Sequence, residues 1–206
     1  GFCIQSLIDS LSNFEIIVIN NNTDEGTLKT IKHFQKSDEV ISDKKNNQEN
    51  IKFIDIENYT PGKALNLGNK YATGEYTLII SSHCKIINFD QSETLKLLDK
   101  YSAIFFKQIP VWNGRRIIPK YIWSNFGNEK KVNLFSDNEN RYFFHNAFSM
   151  FKRETLDKIP FNEDLISKED RYWANKIIKS EKDILYYPDN IAEHFYTQNG
   201  STWRNL

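Results

Sequence analysis

Apolar positions along this chain alternate between two rhythms. Phe2, Ile4, Leu7, Ile8 and Leu11 recur at helical spacing, which predicts an amphipathic helix to about residue 11. EIIVIN (15–20) is instead a continuous run rich in β-branched residues, the mark of a strand covered on both faces. The polar stretch NNNTDEGT follows and offers Thr23 or Asp24 as a helix cap, ahead of a stripe formed by Leu28, Ile31 and Phe34. Residues 36–50 are polar and aperiodic, so a solvated loop is expected there. IKFIDI (51–56) predicts the next strand, and PGKALNLGNKYATG (61–74) a helix with Pro near its start and Gly74 at its end. EYTLIIS is a third strand, followed by a helix over about 91–101 and a strand over 102–108.

From 109 to 146 the periodicity weakens, and Trp112, Arg115, Arg116, Trp123 and Phe126 stand among polar residues. Such a long irregular stretch inside a domain is functional or mobile. AFSMFKR (147–153) regains strand character, a helix begins near Lys168, and DILYYPDNIAEHF supplies two short closing strands. The alternation predicts an α/β fold, a mostly parallel sheet layered with helices. Ligands of such sheets gather at the carboxyl ends of the strands. NNNTDEGT and TLIISSHC both end there, so their shared edge is the candidate site.

Composition narrows the function. Lys plus Arg and Asp plus Glu number 27 each, so nothing favours nucleic acid as a partner. No apolar run approaches the roughly 18–20 residues of a membrane span, and no signal peptide is evident. Cys3 and Cys84 lack metal-ligand spacing, which points to a reduced, cytoplasmic setting. No repeat or linker divides residues 1–206, so one domain is expected. The chain enters its first helical pattern directly at Gly1, from which an N-terminally truncated domain is expected.

The order of motifs resembles that of family-2 glycosyltransferases of the GT-A fold. INNNTDEGT, PGKALNLGNKYATGEY, IISSHC, SKEDRYWA and AEHF stand in the order of that family's donor-site strand end, glycine-containing helix, DxD, ED and late histidine. The resemblance implies a Rossmann-like nucleotide-diphospho-sugar transferase sheet whose first strand is missing here, which would leave a gap between neighbouring strands. It implies a nucleotide-sugar-binding half over 1–108 and an acceptor and catalytic-base half over 109–206.

It further implies an inverting glycosyltransferase, with Asp170 as the base that removes the acceptor proton and Glu169 beside it. A structural alternative is that acidic residues in a first helical turn meet the helix dipole. Ser81, Ser82, Asn20, Asn21 and Lys63 fall on the donor side, and Trp112, Arg115 and Arg116 on the acceptor side. His83 and His194 are the implied ligands of a divalent cation. Nitrogen donors suit manganese better than magnesium, although Ser81 stands where the family carries a carboxylate. A histidine that only hydrogen-bonds at a strand end remains open. Asn20 and Asn21 replace usual aspartates. An amide both donates and accepts, so cytidine as well as uridine remains open for the donor. Lys63 and, in the tail TQNGSTWRNL, Arg204 are possible phosphate contacts.

The implied partners are a nucleotide-sugar donor and a carbohydrate or glycolipid acceptor, in bacterial surface polysaccharide or glycoconjugate assembly. Peripheral association with the inner face of the membrane is compatible with this. Two other classes compete. A sugar nucleotidyltransferase would carry a Gly-rich basic loop after its first strand. A non-catalytic GT-A-like carbohydrate-binding or scaffolding module is favoured by Ser81 and Asn20, and disfavoured by the retained Glu169–Asp170 pair.

Overall fold

The computed structural model describes residues 1–21, 24–36, 51–117, 126–137 and 139–197. Helix α1 (Phe2–Ser10) buries Cys3, Ser6 and Leu7, and the Ser6 hydroxyl accepts from the Ile86 amide at 3.1 Å. Strand β1 (Ile16–Asn20) leads to α2 (Glu25–Lys36). Of the two expected caps, Asp24 does the capping, accepting from the Thr27 amide at 2.9 Å. Thr23 lies outside the described residues, as do 37–50 of the expected loop and Trp123 and Arg204. Strand β2 (Ile51–Asp55) pairs in parallel with β1, Asn20 standing opposite Asp55.

Helix α3 (Pro61–Tyr71) starts with Pro at its first turn, and Thr60 accepts from the Lys63 amide at 3.2 Å. A side chain on Gly62 would collide with the carbonyl of Asn162, so this glycine lets the 159–164 segment lie against the helix start. Asn66 then brackets the Phe161 backbone, donating to its carbonyl and accepting from its amide, both at 3.0 Å.

The larger sheet has seven strands, with the path β3 (Tyr76–Ile80), β10 (Phe148–Lys152), β5 (Ala103–Trp112), β11 (Ile184–Phe195), β4 (Cys84–Asn88). Short β6 (Arg115–Arg116) pairs with β5, and β7 (Lys131–Val132) with β11. Strands β8 (Phe135–Ser136) and β9 (Arg141–Tyr142) form a separate ribbon. Of the expected parallel pairings, β1–β2 and β5–β11 are parallel, while β3–β10, β10–β5 and β11–β4 are antiparallel. The α/β layering stands, with a mixed sheet.

The two closing strands expected at DILYYPDNIAEHF are one long strand, β11, with a register shift between Tyr187 and Ile191. Pro188 and Asp189 mimic a turn in sequence; as a bulge they bend the strand without ending it. Inside the stretch expected to be irregular, Asn113 (φ 47°) and Gly114 (φ 71°) make a tight hairpin between β5 and β6. Asn-Gly is the residue pair that such a turn favours.

Strands β3 and β4 lie at opposite ends of the path, yet only residues 81–83 join them. Four strand spacings of about 4.8 Å come to about 19 Å in a flat sheet. Four residues of extended chain reach at most about 14 Å. The sheet must therefore curl, and the turn after β3 is folded back onto β11.

Alternate residues of β5 enter two cores. Ala103 and Phe105 pack with Phe144, Phe151 and Trp173, whereas Ile104 and Phe106 pack with Leu98, Phe148 and Met150. This two-sided burial is why AIFF reads as one apolar run. Helices α4 (Gln91–Leu98), α5 (Arg153–Lys158) and α6 (Glu169–Lys179) complete the layers. Trp173 of α6 stacks on Phe161 with centroids 5.0 Å apart and donates to the Ile159 carbonyl at 2.6 Å. It is a packing residue. Among the described residues no helix is long and apolar enough to cross a membrane.

Candidate active site

The turn Ser81–Ser82–His83 is held by its backbone at every step. Ser81 donates to the Ala147 carbonyl at 3.0 Å, Cys84 to the Ser81 carbonyl at 2.8 Å, and Phe195 to the His83 carbonyl at 2.9 Å. These bonds seat the His83 ring against that of His194, centroids 4.6 Å apart. His194 lies on β11 opposite both Cys84 and Pro110 and is fully buried. A third histidine, His145, has its centroid 6.2 Å from His194, and Gln108 of β5 lies between their rings, hydrogen-bonded to both. Burial lowers the pKa of all three histidines, that of His145 and His194 furthest. Arg171 and His83 add to the shift at His145, and His83 and His145 to that at His194. These imidazoles are neutral, the form that binds metals.

A few residues away, α6 presents its first turn. Lys168 takes a left-handed conformation (φ 61°) where the chain enters the helix. Glu169 and Asp170 follow, both buried. Asn146 donates to one Glu169 oxygen at 2.6 Å. Burial first, and then the adjacent Asp170, push the Glu169 carboxyl above its ordinary pKa. Asp170 is held differently. One oxygen accepts from the Arg171 amide at 2.8 Å and the other from its guanidinium at 2.7 Å. That guanidinium lies over the Phe143 ring at 4.9 Å and approaches Glu139 at 3.7 Å.

Residues 145–147 join these parts. His145 touches the histidine floor, Asn146 orients Glu169, and Ala147 anchors Ser81. Sequence reading singled out none of the three. FHNAF carries no spacing that announces chemistry, and Gln108 and His145 gain meaning only from strands 37 positions apart.

At the end expected to meet the nucleotide, Asn20 donates from its amide to Asp55 at 2.6 Å. That bond fixes which end of the amide is which, and it leaves the Asn20 carbonyl oxygen buried and, among the described residues, without a hydrogen-bond partner. An acceptor is thus presented where the sequence allowed donor or acceptor. Asp55, at the end of β2, was missed; its register opposite Asn20 was the available signal. Asn21 is exposed. Lys63 donates to the Glu57 carbonyl at 2.6 Å and so braces its own loop. Ser82 is exposed and Ser81 half-buried in the turn.

The expected acceptor residues sit on the β5–β6 hairpin. Trp112 and Arg115 are exposed and stand opposite each other. Arg116 is paired with Glu193, the neighbour of His194, at 2.9 Å. Among the described residues no three His, Cys, Asp or Glu side chains gather to hold a metal. His83 and His194 together offer two neutral nitrogen donors and no carboxylate. Imidazole nitrogens are ligands that first-row divalent transition metals accept, so these two rings are the ones that would hold such a cation.

Solved structures share this architecture. GalNAc-T7, solved with UDP, GalNAc and Mn2+, matches with a TM-score of 0.71 at 14% identity, over 96% of this chain and 41% of that one. TarS 1–349 of S. aureus, solved with UDP-GlcNAc, matches with a TM-score of 0.69 at 20% identity, over 99% of this chain and 56% of that one. The chain therefore spans about half the length of these neighbours, and it shares with them the GT-A fold. No curated protein matches the sequence. The family model described as glycosyl transferase family 2 matches residues 1–160, and the chain belongs to that family.

Proposed function

We propose that this chain is an inverting glycosyltransferase domain that moves a sugar from a nucleotide-sugar donor to an acceptor hydroxyl. The observation that carries the reading is the convergence on residues 145–147, which link the Ser81–His83 turn, His194 and the Glu169–Asp170 pair. A donor floor and a proton acceptor at one edge are what glycosyl transfer requires.

Asp170 is the base in this reading. It takes the acceptor proton as that oxygen attacks the anomeric carbon, and its hold on Arg171 keeps the carboxylate in place. Glu169, raised in pKa by burial and aimed by Asn146, binds the acceptor beside it. A positioned base contributes about 10²–10⁴-fold. His83 and His194 would hold the cation, with Ser81 and Ser82 contributing only the turn and its polar edge. When bound, a divalent cation would offset charge on the leaving diphosphate.

The unpartnered Asn20 oxygen favours an N–H donor on the nucleobase, as uracil has and cytosine lacks at the same ring position. The uridine nucleotides in the two neighbouring structures support the same donor class. Trp112 and Arg115 would meet a carbohydrate or glycolipid acceptor. The setting proposed is cytoplasmic, at the inner face of a bacterial membrane, in surface polysaccharide or glycoconjugate synthesis.

Calorimetry with uridine, cytidine, guanosine and thymidine diphosphates, each with and without manganese, tests this. Manganese-dependent uridine binding is expected. Binding without metal would return His83 and His194 to hydrogen-bonding roles. No nucleotide binding at all would favour the non-catalytic module, towards which Ser81, lacking a carboxylate, already leans.

A further inference from the structure

We infer that Gln108 and His145 are positioning residues that fix His194 as its Nδ1–H tautomer, with the ring lone pair on Nε2. The amide of Ala147 can only donate, and it donates to Nδ1 of His145 at 3.2 Å. That nitrogen therefore carries a lone pair, and the proton of neutral His145 is on Nε2. The Gln108 side chain meets the same Nδ1 at 3.1 Å. Only its NH2 end can satisfy a lone pair, so its oxygen is the end that faces Nδ1 of His194, at 2.7 Å. An amide oxygen only accepts, so Nδ1 of His194 carries the proton.

Turning the Gln108 amide over would set its oxygen against the His145 lone pair. In a site where Gln108 is 1% exposed, no water can relieve that repulsion. Histidine tautomers and amide orientations have to be inferred from the network around them, and here one obligatory donor decides all three groups. A lone pair on Nδ1 of His145, facing the Ala147 amide, already requires that ring to be neutral.

The consequence concerns His194 as a ligand. A neutral imidazole binds a cation or accepts a hydrogen bond through its bare nitrogen, and the partner on its other nitrogen decides which one is bare. Gln108 does so here, and His145 aims Gln108. The tautomer itself stands without any cation; its use for ligation rests on the functional reading above.

The test is a long-range 1H–15N correlation spectrum of the full chain labelled at histidine nitrogens. His194 is expected to show a protonated Nδ1 and bare Nε2, and His145 the reverse. A protonated Nε2 on His194 would overturn the proposal directly. Gln108→Leu should abolish the single-tautomer pattern of His194 while His145, still held by Ala147, keeps its own. Gln108→Glu should preserve it in the protonated form that burial favours, whose O–H can face the His145 lone pair while the other oxygen accepts from His194. An unchanged His194 in Gln108→Leu would show that the contact is packing only, and would also overturn the proposal.

Where Gln108→Leu is too unstable to measure, His145→Phe provides the second variant. It frees the Gln108 amide to turn, and a mixture of His194 tautomers is expected; a single unchanged tautomer would count against the relay. Adding manganese to the wild type separates the two ideas. Broadening of the His194 signals, and about 10–100-fold weaker manganese affinity in Gln108→Leu, would support both. The expected tautomer with no response to manganese would keep the relay and remove the metal reading.

Discussion

The seven-stranded sheet and the β1–β2 pair carry the candidate site in different ways. In the seven-stranded sheet, β5, β10 and β11 are buried along most of their length, and His194 of β11 is hydrogen-bonded to Gln108 of β5. In the β1–β2 pair, every residue but Ile16 is half-buried or exposed, and among the described residues β1 has a single strand partner. Yet the pair carries Asn20 and Asp55 at its end. What ties the start of β1 to the sequence before β3 is one carboxylate. Glu15 accepts from the amide and hydroxyl of Thr73, from the amide of Gly74 and from Lys52. Regions with few buried apolar contacts open at lower free energy than core strands. In the proposed reading, catalysis is thus mounted on the more buried part and nucleobase recognition on the part that gives more easily.

The sharpest way to probe this contrast is to remove chemistry from the rigid side. Asp170→Asn is expected to lower kcat by about 10²–10⁴-fold while nucleotide binding, measured by calorimetry, is unchanged. An equal loss of nucleotide affinity would show that Asp170 serves the donor instead. Next in size, Arg171→Met strips a buried partner from Asp170. Breaking a buried ion pair from one side costs about 3–5 kcal/mol, which urea denaturation would register as a lower midpoint.

On the compliant side the effects are smaller. Asn20→Ala removes one hydrogen bond, worth about 0.5–1.5 kcal/mol, so uridine nucleotide binding should weaken by up to about tenfold. Thermal stability should barely move. The smallest effect is confined to acid. Burial pushes the Glu15 carboxyl up, but the Thr73, Lys52 and Gly74 bonds outweigh it and bring its pKa from an ordinary 4.5 down to about 2. A depressed folded pKa means that its stabilising contribution is complete above 4.5 and fades as pH falls towards about 2. Glu15→Gln should flatten the stability profile in that window alone. Amide exchange would locate the change, with β1 and β2 losing protection before β5.

The same contrast explains what could be read from sequence. The rigid elements announced themselves: EYTLIIS, AFSMFKR and the helix at SKEDRYWA sit close to their expected places because continuous apolar runs have few alternatives. The motif order also pointed to the Ser81–His83 turn and the Glu169–Asp170 pair, which residues 145–147 link in the structure. The connections between strands were not legible. The single strand β11 looked like two because Pro188 and Asp189 resemble a turn, although a bulge can accommodate both. The Asn-Gly hairpin that carries Trp112 and Arg115 was hidden inside a stretch without periodicity. Asp55, Gln108, His145 and Asn146 each have ordinary neighbours in sequence. Asp55 and Gln108 are placed by strand register, and His145 and Asn146 by the loop that enters β10, so their contacts are properties of segments distant in sequence.

The curl that brings the Ser81–His83 turn onto β11 also sets when the site can exist during synthesis. Among the described residues β4 has β11 as its only strand partner, and β11 slots between β4 and β5, which the ribosome made some 70 residues or more earlier. Pairings that distant in the chain are slow to find. A nascent chain ending before Ile191 would hold a complete His83 turn with nothing beneath it. Every residue from the His83 turn to His194 must therefore emerge before the two rings meet, and their contact forms later than the elements between them.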